Sequence, residues 1–134
     1  MAWFLDTNVC IRHWRGQHPQ LSARWRQHRA EEIYIPLTVY AELLVGAEKS
    51  SQAERVRRQI ETLLEAHDIV EITNEVAEHY ARIRADLEKR GVIIGGNDLW
   101  IAATALAHGA TLVTSNVGEF SRIPGLALED WSLP

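Results

Sequence analysis

The stretch Trp3-Phe4-Leu5-Asp6-Thr7-Asn8-Val9 decides how this chain reads. A short apolar run stops at three residues able to cap a helix, so a strand passes into a helix at Asp6. The same alternation continues downstream. Glu32-Ile-Tyr-Ile-Pro36 alternates like a strand and stops at proline, and a helix follows from Thr38 with Val39, Tyr40, Leu43, Leu44 and Ala47 on one face. A second helix spans about Gln52 to Ala66, with Val56, Ile60, Leu63 and Leu64 inward, and Asp68-Ile-Val-Glu-Ile72 is a strand. Thr73 or Asn74 then caps a long helix carrying Val76, Tyr80, Ile83 and Leu87, which Gly91 ends. Gly95-Gly96-Asn97 opens another, with Asn97 as its expected cap, Ile101, Ala102, Ala105 and Leu106 as its packing face, and Gly109 after its end. Ala110 to Thr114 is a buried-strand pattern, and Leu126 to Glu129 is a last, edge strand.

Strands separated by helices imply an α/β fold: one central, mainly parallel sheet with helices on both faces. The 134 residues fit one domain, and no repeat, low-complexity tract or linker divides residues 1–134. Ligands of such sheets sit outside the carboxyl ends of the strands. That rule selects Asp6-Thr7-Asn8 after the first strand and Thr114-Ser115-Asn116 after a later one.

Bulk composition narrows the function further. The apolar runs are too short to span a bilayer, the start lacks a basic signal-peptide region, and the lone Cys10 reads as a core residue, so a cytoplasmic protein is expected. A net charge of −4 excludes an indiscriminate polycation. Yet no acid lies between Asp6 and Glu31, whereas Arg12, Arg15, Arg24, Arg26 and Arg29 appear there with His13, His18 and His28. Such a run is ordinarily a solvated helix face. Beside an acidic reaction centre it becomes a phosphate-contacting rim, with Arg12 and Arg15 as substrate-binding candidates.

Three acids are candidates for that centre. Asp6 serves equally as an N-cap. Asp98, in the first turn of its helix, serves equally as a partner of the helix dipole. Glu42 lies within the apolar stretch Val39 to Val45, and one turn later on its own face stands Gly46. A helical glycine costs ~1 kcal/mol relative to alanine, so it either clears space above the carboxylate or permits close packing. Crowded carboxylates repel unless a cation neutralises them. Oxygen donors without a Cys/His cluster suit Mg²⁺ or Mn²⁺ rather than zinc. His108 reads as a dipole partner at a helix end, Trp3 and Trp100 as core or interface, and Trp14 and Trp25 as residues facing a partner or stacking bases.

Four segments taken together resemble the motifs of PIN-domain nucleases. They are Phe4-Leu-Asp-Thr-Asn-Val9, Tyr40 to Ser50, Ile94 to Ala103, and Thr111 to Phe120. The closing Pro124-Gly-Leu and Glu129-Asp-Trp are similar to the VapC toxin branch. Each motif alone is weak, but four in order along the chain are strong. The resemblance implies an Mg²⁺-dependent endoribonuclease acting through metal-activated water, with structured RNA such as transfer RNA among its substrates. It also implies restraint by a VapB-type antitoxin, and a homodimer joined to it in a hetero-oligomer. It makes Asp6, Glu42 and Asp98 the catalytic, metal-binding acids and Thr7 a support. The fourth acidic position of the superfamily falls at Asn116, which offers oxygen without charge. Glu119 either substitutes for it or is a solvated surface charge. Gly96 stands where this branch often has proline. A non-catalytic RNA- or protein-binding module on the same scaffold would be expected to lose acids, and this chain keeps three. A haloacid-type hydrolase would require an acid where Asn8 stands.

Overall fold

The computed structural model describes residues Met1–Pro134. Five strands form its sheet: β1 (Trp3–Leu5), β2 (Ile33–Pro36), β3 (Ile69–Val70), β4 (Thr111–Val113) and β5 (Ala127–Glu129). Their spatial order is β3-β2-β1-β4-β5, and every pairing is parallel. Seven helices connect them: α1 (Thr7–Arg15), α2 (Pro19–Arg26), α3 (Leu37–Lys49), α4 (Ala53–Ala66), α5 (Asn74–Lys89), α6 (Gly96–His108) and α7 (Val117–Phe120). The chain steps outward from β1 to β2 and β3, then returns across the sheet to β4 on the other side of β1. Right-handed crossovers running in opposite directions put α1–α4 and α5–α6 on opposite faces. The reversal makes a topological switch point between β1 and β4, where α/β sheets bind ligands.

Burial follows this layering. Phe4 and Leu5 of β1 and all of β4 are buried, as central strands covered on both faces require. On α6 the side chains Ile101, Ala102, Ala103 and Ala105 are wholly buried, and their small size lets α6 lie close beneath the sheet and against α5. Cys10 is completely buried on α1, and burial together with the Asp6 charge pushes its thiol up, so it acts as a small core residue.

One helix was not anticipated and two local expectations need correction. Residues 19–26 form a helix opened by Pro19 at its first position, and its cap is the ring of His18, which accepts from the Leu21 N–H at 3.5 Å. The cap residue of α6 is Gly95; Asn97 already lies inside the helix, so its side chain is not the cap. The strand expected over 68–72 shrinks to Ile69–Val70, an edge strand paired only with β2. For α5 the alternatives resolve to Thr73, whose hydroxyl accepts from the Val76 N–H at 3.3 Å.

Trp25 is also displaced from its expected surface role. It is buried between α1 and α2, stacked on His13 at a centroid separation of 4.0 Å, with Trp131 edge-on at 6.4 Å. Trp14 remains half-buried on α1 and lines a surface hollow. Trp3 and Trp100 pack against the core, and Trp100 stacks on Tyr80 at 3.9 Å.

Candidate active site

Asp6 ends β1 and caps α1 in the same step. Its Oδ1 accepts the Thr7 N–H at 2.9 Å, and its Oδ2 accepts the Thr114 hydroxyl from the end of β4 at 2.7 Å. The strand pairing that sets Leu5 beside Val113 makes the second contact possible, since it places both strand ends at the same level. Asp6 is therefore more than a cap: Thr114, itself 1% exposed, clamps it across the switch point. Thr7 supports a second acid, its hydroxyl donating to Glu42 Oε1 of α3 at 2.7 Å.

Asp98 enters from the opposite face, in the first turn of α6. Glu119 of α7 meets it there. Glu119 accepts the Gly95 N–H at 3.2 Å through Oε1 and the Asn116 side-chain N–H at 2.9 Å through Oε2. Asp98 and Glu119 lie close enough that each carboxyl shifts the other's titration. Asn116 thus turns its amide N–H to Glu119, and Glu119 is built into the site rather than being an isolated surface charge.

The electrostatics follow from crowding. Burial pushes the Asp98 carboxyl up to about 7, reinforced by the charges of Asp6 and Glu119, the Glu119 hydrogen bond and the Glu42 charge. Burial also raises Asp6, with Glu42 and Glu119 adding repulsion, although the Thr114 hydroxyl and Thr7 N–H oppose the rise. Glu119 moves the other way, held down by the Asn116 amide, the Gly95 N–H, Asp98 and the Arg122 charge. None of the five ion pairs in the molecule involves Asp6, Glu42 or Asp98.

The donor set is hard oxygen throughout, and its excess negative charge fits a divalent cation. As they stand, the acids do not close on one point as a three-ligand cage.

The basic stretch divides in two. Arg24 is tied down structurally, pairing with Glu129 and donating to the Asp130 carbonyl, and Arg29 makes an exposed surface pair with Glu31. Arg12 and Arg15 stay exposed on α1 without an ion pair, and Arg15 lines a hollow of about 600 Å³ that reaches Glu42 and Gly46. A Cβ at Gly46 would meet nothing within 4 Å, so close helix packing does not explain this glycine. His108 closes α6, where a cationic partner of the helix dipole belongs, and its ring lies 5.5 Å from that of Phe4. Sequence reasoning selected Thr114 by its strand-end position without assigning it the Asp6 clamp. The clamp depends on the β1–β4 pairing, which no local pattern encodes.

Comparison with known proteins agrees with this geometry. The PIN domain family profile matches residues 3–126. Ribonuclease VapC2 of Rickettsia felis is 38% identical over 133 residues, covering 98% of each chain. The tRNA(fMet)-specific endonuclease VapC of Salmonella typhimurium is 33% identical over 131 residues, again covering 98% of both. Among solved structures, VapBC2 from Rickettsia felis bound to a promoter DNA fragment contains a chain that superposes with a TM-score of 0.91 at 36% identity, covering 98% of this chain and 99% of that one. With one strand order, an acid at the switch point and end-to-end likeness to these relatives, the chain belongs to the PIN-domain family, in its VapC branch.

Proposed function

We propose that this protein is a divalent-metal-dependent endoribonuclease, the toxin of a toxin–antitoxin pair, and that it hydrolyses RNA phosphodiester bonds. The observation carrying the reading is the cluster of acids at the switch point, none of which is ion-paired. Asp6, Glu42 and Asp98 would hold Mg²⁺, or Mn²⁺ in its place, with Glu119 and Asn116 at the margin. When bound, such an ion supplies water activation and charge stabilisation on the phosphoryl group.

The chain's own residues supply the positioning. Thr114 and the Thr7 N–H lock Asp6 with both oxygens oriented, and the Thr7 hydroxyl engages Glu42 Oε1, leaving Oε2 without a hydrogen bond. Burial and the neighbouring acids hold the Asp98 carboxyl well above its usual range, so a bound cation would favour its ionised form. Arg12 and Arg15 lie on the basic helix that begins at Asp6, where they would engage phosphates and position the strand without reading its sequence. Hydrolysis adds water across one P–O bond, leaving phosphate on one fragment and hydroxyl on the other. Structured RNA such as transfer RNA is the proposed substrate, in line with the printed name of the Salmonella relative.

Asp98→Asn and Asp6→Asn should each abolish RNA cleavage while circular dichroism shows the fold intact. Cleavage retained by either folded variant removes that residue from the essential set.

For the partner, the solved neighbours include VapBC complexes from Rickettsia felis and Haemophilus influenzae. We assign this chain a VapB-type antitoxin, with the toxin as a homodimer within the complex. An acidic cleft attracts a cation, and arginine matches carboxylates bidentately, so an antitoxin Arg or Lys should reach Asp6, Glu42 and Asp98. Replacing that side chain by alanine in the co-expressed complex should restore at least part of the cleavage. A complex that forms while cleavage continues unabated rules out inhibition by occupying the site.

A further inference from the structure

The hollow beside Glu42 continues away from the acids. Its walls come from α1, α3 and the start of α4, and they carry Arg15, Lys49 and Arg55. A second hollow of about 290 Å³ adjoins it through Trp14, Arg55 and Gln59 and adds Arg58. Glu42 is the only acid lining either hollow. None of these four cations is ion-paired; Arg55 makes only a side-chain hydrogen bond to Gln52, at 3.2 Å. In a chain of net charge −4, four unpaired cations along one groove are a concentration of positive potential with no structural use. Gly46 keeps the floor next to Glu42 open. Trp14 borders both hollows as a half-buried aromatic platform.

From this arrangement we infer that single-stranded RNA leaves the acid cluster along this groove, with Lys49, Arg55 and Arg58 holding successive phosphates and Trp14 stacking a base. The inference rests on the ribonuclease reading and deepens it by assigning a strand path on α3–α4 beyond the basic face of α1. Spaced point charges beside an aromatic face are what a sequence-tolerant single-strand track requires. A protein segment in the groove would instead have to be acidic to match it.

The test is binding of a labelled single-stranded RNA of roughly twelve nucleotides, followed by fluorescence anisotropy over a range of salt concentrations. EDTA is present, and a gel checks that the RNA stays intact. Each single-strand phosphate contact contributes about −0.7 to the slope of log affinity against log salt, so the triple variant Lys49→Ala, Arg55→Ala, Arg58→Ala should shallow the slope by about 2 and weaken binding at least about tenfold at low salt. The control Arg82→Ala, Lys89→Ala, on exposed α5 positions, should bind like the parent. Trp14→Leu should weaken binding by about tenfold and Trp14→Phe should recover most of that loss, because stacking needs the π-face rather than the volume. Equal affinities of the Leu and Phe variants overturn the stacking role. An unchanged slope and affinity in the triple variant overturn the path. Loss of antitoxin binding by the triple variant with RNA binding unaffected also overturns it, assigning the groove to the protein partner. Cleavage by the parent protein is scored separately in Mg²⁺, so failure of the ribonuclease reading is distinct from failure of the groove.

Discussion

At the residue scale, the acids of this site are shaped more by each other than by their own chemistry. Asp98 ordinarily loses its proton near 3.8 but holds it to about 7 in the fold. Between those values the native state binds more protons than the unfolded one, so this carboxyl makes stability fall as pH rises through the window. Above about 7 the full repulsion is present in the metal-free protein. The melting temperature without divalent ions should therefore be higher near the acidic end of this window than at pH 8. Asp98→Asn should flatten that dependence and raise the melting temperature at pH 8. A variant with the parental pH profile would show that the repulsion lies elsewhere. Asp6 contributes in the same direction, but the Thr114 hydroxyl and Thr7 N–H already stabilise its charge.

At the element scale, α6 begins without the device that usually stiffens such a start. Gly95 caps it with φ −56° and ψ 145°, an extended conformation that a following proline accepts, and a Cβ at Gly96 would meet nothing within 4 Å. Gly96→Pro should stabilise the protein by about 0.5–1 kcal/mol, chiefly by restricting the unfolded chain, as measured by urea unfolding. The Gly95 N–H bonded to Glu119 is untouched by the change, so Asp98 should keep its place. Destabilisation would mean that the α6 start needs the freedom of glycine. Element types were largely legible in the sequence because the 3.6-residue and two-residue periods are local properties. The exception is instructive: α2 is capped by a histidine ring and buries Leu21, Ser22 and Trp25, a face that no apolar periodicity announces.

At the scale of the whole molecule, the proposed metal site joins parts of the chain that are far apart. Asp6 follows β1, Glu42 lies on α3, Asp98 opens α6 and Glu119 belongs to α7. An ion held by these residues would tie together elements from distant parts of the chain, so its binding should stabilise the entire fold rather than one loop. At 100 times its dissociation constant, a ligand specific for the folded state adds about 2.7 kcal/mol. Titration with Mg²⁺ and with Mn²⁺ should raise the melting temperature in one cooperative transition. A protein that cleaves RNA yet shows no shift with either ion would refute the carboxylate–metal account. No helix is long and apolar enough to cross a membrane.

The sequence by itself determined the alternation of strands and helices, the strand-end positions of Asp6 and Thr114, and the presence of Glu42 and Asp98 on helices. Those are consequences of side-chain size, polarity and period within a few residues. Only the tertiary structure decided that β4 lies beside β1, that Thr114 therefore clamps Asp6, and that Asn116 orients Glu119 toward Asp98. It also decided which arginines are engaged in ion pairs and which remain free beside Glu42. The reason is physical: strand order is set by burying apolar surface across the whole chain, and the repulsion among the acids exists only once that burial has brought them together in a partly desolvated cleft.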